Sequence, residues 1–428
     1  MDLKGSTKDF GKQEDRIMND TLYRDMKMKL DALGQNRLLS FYDELSDRER
    51  LELLTQIRDM DFSYLDHFKD KDSPQPASLV EPLPAMTLAE IEAEKDMLRE
   101  PGIRALKNGQ VAAVLLAGGM GTRLGIDGPK GTCDIGITRP VYIFQRLVEN
   151  LLLRVHECGR WIHLFIMTSE VNDEATQHFF REHDYFGYRP EYVRFFRQDM
   201  APAVDDAGNV LLETRSRIAA SPNGNGGWFR SLDRAGLTSV IRDEGILYLN
   251  VFAVDNVLQN ICDPVFIGAV LKSGYPSGAK VVRKQSAEEK VGVMCRKDGC
   301  ASVIEYYEMT EAMLHQTDEQ GNRLYDFGVI LNYLFRVEEL AASMNASMPL
   351  HFANKKIPHI DEEGRQVSPE SPNGWKFEYF IFDILACLKN CLPFEVERSR
   401  EFAPIKNREG VDSIESAREL CALNGIEL

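Results

Sequence analysis

A glycine-rich run with two basic residues occupies positions 118–130 of the 428-residue chain. It reads GGMGTRLG and then, after three further residues, Pro-Lys-Gly. Glycines let a backbone turn sharply and bring its N–H groups close to phosphate oxygens. Arg123 and Lys130 add positive charge, which suits a polyphosphate. The run therefore predicts a cradle for a phosphate-bearing ligand.

Two widespread glycine motifs do not fit this run. A P-loop needs the spacing G-x-x-x-x-G-K-[ST], which does not occur in the chain. A dinucleotide-binding loop needs G-x-G-x-x-G, but Gly119 and Gly121 are followed by Leu124 in the last place. A purely structural turn of the chain remains an alternative to the phosphate cradle.

The segments around the run alternate between strand and helix patterns. A continuous apolar run, typical of a strand buried on both faces, ends directly before the glycines. The predicted strands are 111–117, 163–168, 193–196 and 246–254, and the predicted helices are 143–155 and 173–183. This alternation predicts an α/β fold with a doubly wound sheet, in which ligands bind at the carboxyl ends of the strands. Later segments predict an antiparallel extension with short strands at 281–284, 292–295 and 302–306, and a helix at 377–388.

Three regions are predicted along the chain. They are an N-terminal helical region (1–100), the catalytic domain (101–390) and a short C-terminal segment (391–428). Capping boxes that begin at Ser46 and Thr87 mark helix starts in the first region, and the Asp-, Ser- and Pro-rich residues 70–84 are predicted to form a linker.

The composition argues against several functional classes. The chain has a net charge of −16 and no Lys/Arg cluster, so a nucleic-acid partner is not expected. No apolar run approaches the roughly 18 residues of a membrane span, and the charged first residues lack a signal-peptide core, so we expect a cytoplasmic protein without a membrane partner. The eight cysteines include no CxxC pair, which argues against a zinc site, and disulfides are not expected in the cytosol.

The glycine run and several distant blocks resemble the UDP-sugar pyrophosphorylase family, and within it the eukaryotic-type UDP-N-acetylhexosamine pyrophosphorylases. The matching blocks, in chain order, include LAGGMGTRLG, YFGYRPEYVRFFRQDM, SPNGNGGWFRSL, VDNVLQNICDPVFIG, PNGWKFEYFIFDI and EFAPIKN. The resemblance extends from about residue 25 to about residue 420. It implies a Rossmann-like nucleotidyltransferase fold with a mixed sheet, and transfer of a uridylyl group from UTP to N-acetylglucosamine 1-phosphate.

The resemblance also implies roles for individual residues. Arg123 would hold the β- and γ-phosphates, and Lys130 would stabilise charge near the α-phosphate. The nucleotide would be bound by Ala117, Gly118, Gly119, Gln198, Gly224 and Asp255, the last of which would also hold Mg²⁺. The sugar would be bound by Asn225, Gly292, Glu305, Asp326, Phe380 and Phe382, and the substrate phosphates by Lys376 and Lys406.

The residues by themselves leave other interpretations open at some of these positions. Asp255 follows a predicted strand and suits Mg²⁺, but a carboxylate there is also typical of a helix cap, here for a helix from residue 256. The glycine cluster 223–227 is equally typical of a plain turn. Glu305 is also compatible with a surface strand, and Phe380 and Phe382 with the core of a helix.

Three departures from the family pattern leave alternatives open. Asp326 and Val329 replace residues of an Asn-Ala-Gly-Asn run that reaches the amino sugar, so glucose or another hexose 1-phosphate is an alternative substrate. Arg139 alone remains of a basic pair. The C-terminal part is truncated relative to longer relatives, so no oligomeric state is predicted. A catalytically inactive sugar-nucleotide-binding protein is the alternative from a different class.

Overall fold

The structure is a computed structural model that describes residues 6–69, 71, 78–344 and 348–428, with side chains from residue 20 onward. No helix in these described ranges is both long enough and apolar enough to cross a membrane. The predicted linker at 70–84 falls partly outside them, at residues 70 and 72–77.

The described part of the chain mixes strands and helices along most of its length. The strands are β1 (Val80–Pro82), β2 (Val111–Leu116), β3 (Leu164–Thr168), β4 (Val193–Arg197), β5 (Met200–Pro202), β6 (Leu212–Thr214), β7 (Arg217–Ile218), β8 (Ala220–Pro222), β9 (Tyr248–Ala253), β10 (Ser277–Arg283), β11 (Val293–Lys297), β12 (Cys300–Ile304), β13 (Phe327–Arg336), β14 (His351–Lys355), β15 (His359–Ile360), β16 (Gln366–Val367), β17 (Gly374–Glu378) and β18 (Leu392–Glu395). The helices are α1 (Ser6–Leu33), α2 (Asp47–Asp59), α3 (Tyr64–Lys69), α4 (Leu88–Lys107), α5 (Ile143–Cys158), α6 (Asp173–Glu182), α7 (Trp228–Arg234), α8 (Leu237–Asp243), α9 (Pro264–Ser273), α10 (Glu311–His315), α11 (Val337–Ser343), α12 (Asp383–Leu388), α13 (Arg398–Glu401) and α14 (Ile414–Leu423).

These residues divide into two compact units that are discontinuous in sequence. The smaller unit comprises Met1–Gln75, Met200–Gly224 and Pro349–Tyr379, and the larger one Pro76–Asp199, Asn225–Met348 and Phe380–Leu428. The smaller unit combines α1, α2 and α3 with the two-stranded sheets β5–β8, β6–β7, β14–β17 and β15–β16. The domain boundaries expected at residues 100 and 390 stay a prediction.

The larger unit is built on a mixed ten-stranded sheet, which confirms the predicted α/β fold. Its main strand order is β1-β11-β13-β9-β2-β3-β4, and β10, β12 and β18 pair beside this path. Strands β9, β2, β3 and β4 are parallel, whereas β13 is antiparallel to both β9 and β10. The antiparallel extension expected after residue 280 is therefore present.

Strand β2 lies in the middle of this sheet because every one of its side chains is apolar and buried. Ala113 and Leu115 pack into a cluster with residues of α4, α5, α9 and α14. Val114 and Leu116, on the opposite face, pack into a second cluster with residues of α7, α8 and α12. Helices thus cover both faces of the sheet. The glycine run follows the carboxyl end of β2 and therefore lies at the edge where ligands bind in such sheets.

Two local expectations need correction. Within the expected linker, β1 pairs with β11 in antiparallel register, so these residues extend the sheet. The helix expected at 377–388 begins only at Asp383. Trp375 and Phe377 belong to β17, where side chains alternate with a period of two, and the buried Phe377 packs against Tyr64 and Phe68 of the same unit. Both capping boxes are confirmed, at Ser46 and Thr87.

Candidate active site

The glycine run folds back on itself directly after β2. The N–H of Gly121 donates to the carbonyl of Gly128 (2.8 Å), and the N–H of Lys130 donates to the carbonyl of Gly119 (3.1 Å). Two short 3-10 turns, Thr122–Leu124 and Lys130–Thr132, complete the loop. The fold-back brings Lys130 beside Gly119, although the two are separated by ten intervening residues.

The glycines of the run are needed for different reasons. A Cβ on Gly118 would lie 2.9 Å from Oε1 of Gln198, and one on Gly121 would lie 2.1 Å from Cγ1 of Ile126. A side chain at either position would therefore collide with its neighbour. Gly119 differs, because a Cβ there would have no atom within 4 Å and would face open space. The tight glycines shape the loop, whereas Gly119 leaves its outer side accessible.

Three consecutive backbone N–H groups of this loop have no acceptor among the described residues. They belong to Gly118, Gly119 and Met120, and all three residues are at least partly exposed. A succession of unpaired N–H groups at a strand-to-loop turn is a common site for anions. The observation favours the phosphate cradle over a purely structural turn.

Lys130 carries a positive charge that its surroundings compensate only partly. Its Nζ lies 3.8 Å from Oδ2 of Asp255, and the two side chains are 16% and 24% exposed. Burial lowers the pKa of Lys130, Asp255 acts in the opposite direction, and the nearby Lys406 and Arg123 lower it further. Two neighbouring cations thus repel Lys130 while a single carboxylate, Asp255, attracts it, and an anionic ligand would relieve this repulsion.

Hydrogen bonds join the segment just before Lys406 to the residues that follow β9. The N–H of Ile405 donates to the carbonyl of Asp255 (2.8 Å). The side chain of Asn256 accepts from the N–H of Ala403 (2.9 Å) and donates to the carbonyl of Glu401 (2.7 Å). These bonds explain how Lys406 comes to act on Lys130.

The two outer cations of this cluster have different partners. Nζ of Lys406 lies 3.4 Å from Asp412, and the lysine side chain is 48% exposed. Arg123 is exposed and makes no ion pair within the part of the chain that the structure describes. Arg123 is therefore available to a charged ligand, and Lys406 would have to share its charge with Asp412.

The helix-cap interpretation of Asp255 is wrong. No helix begins at Asn256, which forms an isolated β-bridge with Pro404, and the next helix, α9, begins at Pro264 with Asp263 as its N-cap. Among the described residues, no group of three or more His, Cys, Asp or Glu side chains could hold a metal ion. Magnesium commonly takes one or two carboxylates together with substrate phosphates, so a single carboxylate fits that mode. Mg²⁺ at Asp255 stays a prediction.

The expected sugar-binding residues form two local groups in the larger unit. A Cβ on Gly292 would lie 3.4 Å from Oε1 of Glu305, which is half-buried and follows β12. The rings of Phe380 and Phe382 stack with centroids 5.1 Å apart. Asn225 belongs with the second group, because its Oδ1 accepts from the N–H of Ile381 (2.9 Å). Phe380 and Phe382 precede α12 rather than forming a helix core.

Asp326 is held by arginines. It is 5% exposed, and its carboxylate accepts from Nε of Arg323 (2.7 Å) and from Nη1 of Arg283 (3.3 Å). Both pairs lie within the larger unit and satisfy a charge that would be unfavourable if buried alone. Contact between Asp326 and a sugar stays a prediction.

Two expected site residues, Gly224 and Lys376, belong to the smaller unit. Gly224 has a φ of +82°, and a Cβ there would lie 2.3 Å from the carbonyl oxygen of Tyr379. Only glycine satisfies both constraints. Lys376 lies on β17 opposite Ala353 of β14. Their roles in nucleotide and phosphate binding stay predictions.

The sequence pattern of one protein family, described as UTP–glucose-1-phosphate uridylyltransferase, matches residues 68–424. The chain belongs to this family.

Two named proteins resemble the chain over most of its length. A mouse (Mus musculus) protein named UDP-N-acetylhexosamine pyrophosphorylase-like protein 1 is 35% identical over 412 residues, covering 91% of this chain and 81% of the mouse protein. The UDP-N-acetylglucosamine pyrophosphorylase of Saccharomyces cerevisiae is 34% identical over 418 residues, covering 90% of this chain and 86% of the yeast protein.

A solved structure extends the similarity to three dimensions. It is the uridine diphosphate N-acetylglucosamine pyrophosphorylase of Trypanosoma brucei, in complex with an inhibitor. The TM-score is 0.80 at 29% identity, covering 92% of this chain and 83% of the trypanosome chain. The similarity agrees with the mixed α/β sheet of the larger unit.

Asn172 contacts the glycine loop, although nothing in the sequence predicts a role for it. Asn172 is fully buried, and its Nδ2 donates to the carbonyls of Ala117 (2.9 Å) and Gly119 (3.3 Å). It lies 53 residues after Gly119 in a segment without a motif. No signal in the sequence distinguishes it from a helix cap.

Proposed function

We propose that the protein transfers a uridylyl group from UTP to N-acetylglucosamine 1-phosphate and releases pyrophosphate. The observation that carries the proposal is the row of unpaired N–H groups at Gly118, Gly119 and Met120, with Lys130 folded back beside it. In a chain with a net charge of −16, this local concentration of N–H groups and basic side chains suits a polyphosphate. The names of the similar proteins support the reaction.

The reaction is an in-line displacement at phosphorus. A phosphate oxygen of the sugar 1-phosphate attacks the α-phosphorus of UTP, and the bond from that phosphorus to the β-phosphate oxygen breaks as pyrophosphate leaves. The loop N–H groups and Arg123 would bind the phosphates that depart, and Lys130 would stabilise charge near the α-phosphate. Catalysis of this kind depends on positioning and on charge stabilisation, and it needs no covalent intermediate with the protein.

Asp255 is the residue we propose for Mg²⁺. It follows the carboxyl end of β9, is partly exposed, and belongs to the charge cluster of Lys130. Magnesium, when bound with substrate phosphates, would neutralise part of their negative charge. The Asp255 carboxylate is also the counter-ion of Lys130.

Glucose 1-phosphate is the second candidate substrate. The description of the matching family names that sugar phosphate, and Val329 takes the place where the resembled enzymes carry an asparagine. The names of the mouse, yeast and trypanosome proteins favour the N-acetylated sugar. The relative rates with the two sugar phosphates decide between them.

The test is a direct assay of pyrophosphate release. The purified protein is incubated with UTP, Mg²⁺ and, in turn, the 1-phosphates of N-acetylglucosamine, N-acetylgalactosamine, glucose and galactose. We expect the highest kcat/KM with N-acetylglucosamine 1-phosphate, and loss of release in Lys130→Ala but not in Lys107→Ala, an exposed lysine at the end of α4. If none of the sugar 1-phosphates leads to pyrophosphate release, the result would favour a sugar-nucleotide-binding protein instead.

We also propose that the protein works in the cytoplasm. All eight cysteines are free thiols, seven of them with a pKa raised chiefly by burial, as expected where disulfides do not form. Microscopy of a fluorescently tagged chain checks the location, and enrichment in a secretory compartment would contradict it.

A further inference from the structure

Asn172 occupies a helix N-cap without capping its helix. It precedes α6, and its side chain makes no hydrogen bond to that helix. Asparagine at an N-cap usually accepts from the N–H groups of the first helical turn and stabilises the helix in that way. Here the side chain points toward the glycine loop. Hydrogen bonds to that loop replace the capping hydrogen bond that the helix would otherwise receive.

All the hydrogen-bonding capacity of this amide is directed at two neighbouring loops. Its Oδ1 accepts from the N–H of Ser169 (2.8 Å). This bond sets the orientation of the side-chain amide. Its Nδ2 then donates to the carbonyls of Ala117 (2.9 Å) and Gly119 (3.3 Å). The residue is fully buried, so no solvent replaces these bonds.

The two clamped carbonyls determine where the next N–H groups point. In a trans peptide the C=O and the N–H of one peptide unit point in opposite directions, and no cis peptide occurs among the described residues. When the carbonyl of Ala117 points toward Asn172, the N–H of Gly118 points away from it. The same holds for the carbonyl of Gly119 and the N–H of Met120. These are two of the three N–H groups that lack an acceptor.

We propose that Asn172 is a positioning residue for phosphate binding, which holds the N–H groups of Gly118 and Met120 toward the ligand. The proposal rests on the proposed function, because it takes the phosphates of UTP as that ligand. Asn172 itself touches no substrate. It acts through the backbone of the loop, to which its buried side chain is hydrogen-bonded.

The decisive variant is Asn172→Asp, which keeps the size of the side chain and one acceptor for Ser169. Its second oxygen, when ionised, cannot donate and faces two carbonyl oxygens. The peptide after Ala117 is therefore expected to turn, whereas the carbonyl of Gly119 keeps its bond from the N–H of Lys130 (3.1 Å). Loss of two buried hydrogen bonds to the cradle should raise the KM for UTP, and its Kd by calorimetry, by about ten- to a hundredfold. The KM for the sugar 1-phosphate should change by less than about threefold, which a general loss of structure would not produce.

Thr176→Val is the matched control. Thr176 is fully buried on the same helix, one turn later, and its hydroxyl has no hydrogen-bond partner. Its replacement by an isosteric valine should leave both KM values and the Kd for UTP unchanged. An Asn172→Asp protein that is folded by circular dichroism and binds UTP as tightly as the wild type would overturn the proposal.

Two further measurements keep the two proposals apart. If Asn172→Asp does not fold, Asn172→Ala replaces it, and the same UTP-selective rise in KM and Kd is required. If the wild-type protein binds UTP but turns over no sugar 1-phosphate, the proposed function fails, yet the Kd for UTP in wild type and variant still decides the role of Asn172. Equal Kd values in that comparison would reject it.

Discussion

Lys280 and Lys130 are both largely removed from solvent in the larger unit, but the charges around them differ. Lys280 is fully buried and donates to Asp263 (3.0 Å) and to Glu401 (2.6 Å). Burial lowers its pKa, but the two carboxylates more than compensate, and the net shift is upward. Lys130 has one carboxylate at 3.8 Å and two neighbouring cations, and the net shift of its pKa is downward.

The difference distinguishes a lysine whose charge the chain itself neutralises from a lysine whose surroundings would be stabilised by an anion. Around Lys280 the chain supplies its own negative charge, so that cluster is complete without a ligand. Around Lys130 the chain leaves positive charge in excess, which is unfavourable until an anion arrives. Active sites often keep such unfavourable arrangements, because the same groups bind the substrate.

The largest effect on stability is expected from Lys280→Met. The change leaves Asp263 and Glu401 buried without their cation, and breaking a buried ion pair in this way costs about 3–5 kcal/mol. Urea denaturation should show a lower midpoint with an unchanged slope. Lys272→Met is the control, because Lys272 is 48% exposed and pairs with Glu94 on the surface, so its loss should cost less than about 1 kcal/mol. Equal effects of the two changes would contradict the comparison.

Lys130→Met should show the opposite pattern, with a large effect on activity and a small one on stability. We expect kcat/KM to fall about 10²- to 10³-fold, the range for one electrostatic contact to a transition state. The free energy of unfolding should change by less than about 1 kcal/mol, because burial and the repulsion from Lys406 and Arg123 already disfavour the charge. Steady-state kinetics and urea denaturation of one preparation measure both. A loss of stability as large as that of Lys280→Met would make Lys130 a structural residue.

Pyrophosphate should stabilise the wild-type protein more than Lys130→Met. A ligand that binds only the folded state adds about 2.7 kcal/mol at a concentration of a hundred times its Kd. If Lys130 strengthens binding tenfold, the variant should gain about 1.3 kcal/mol less at the same concentration. Thermal denaturation with and without pyrophosphate measures the difference, and Lys280→Met should retain the full stabilisation relative to its own lower starting point. Equal stabilisation of wild type and Lys130→Met would show that Lys130 does not meet the phosphates.

The smallest effect is a change in how stability depends on pH. Burial raises the pKa of Glu401, and Lys280 acts against that rise. In Lys280→Met the opposition is lost, so the folded chain holds a proton on Glu401 over a pH range in which the unfolded chain has released it. Unfolding free energy then falls as pH rises, by at most about 1.4 kcal/mol per pH unit for one proton. The difference in unfolding free energy between the wild type and Lys280→Met should therefore be smaller near pH 5.5 than near pH 8. A difference that grows toward acid pH would contradict this pH dependence.

Some parts of this site could be predicted from the sequence because local chemistry determines them. A buried strand followed by glycines and two basic residues indicates both the sheet edge and the charge, and this pattern predicts Arg123 and Lys130. Asp255 follows a different predicted strand, where a helix cap was the other interpretation, and its metal role was expected through the family resemblance. Lys406 was expected only through the family resemblance. The bonds from Ile405 and Ala403 to the end of β9 explain its position physically.

Other parts could not be predicted, because distant residues decide them. Asn172 bonds to Ala117 over 55 residues, and Lys280 bonds to Asp263 and Glu401 over 17 and 121 residues. Spacing in the sequence does not reveal such pairs. The misplaced helix at 377–388 has a different cause, since the aromatic alternation of β17 is a strand period that precedes a genuine helix at Asp383.

The hydrogen bond from Ile405 to Asp255 joins residues 150 positions apart in the chain. During synthesis, the end of β9 leaves the ribosome well before the segment that will lie beside it, and contacts between such distant residues form slowly. A nascent chain can therefore complete its central parallel strands while the charge cluster around Lys130 still lacks Lys406. Assembly of the central parallel strands and assembly of the complete charge cluster around Lys130 are therefore separate steps in the synthesis of the chain.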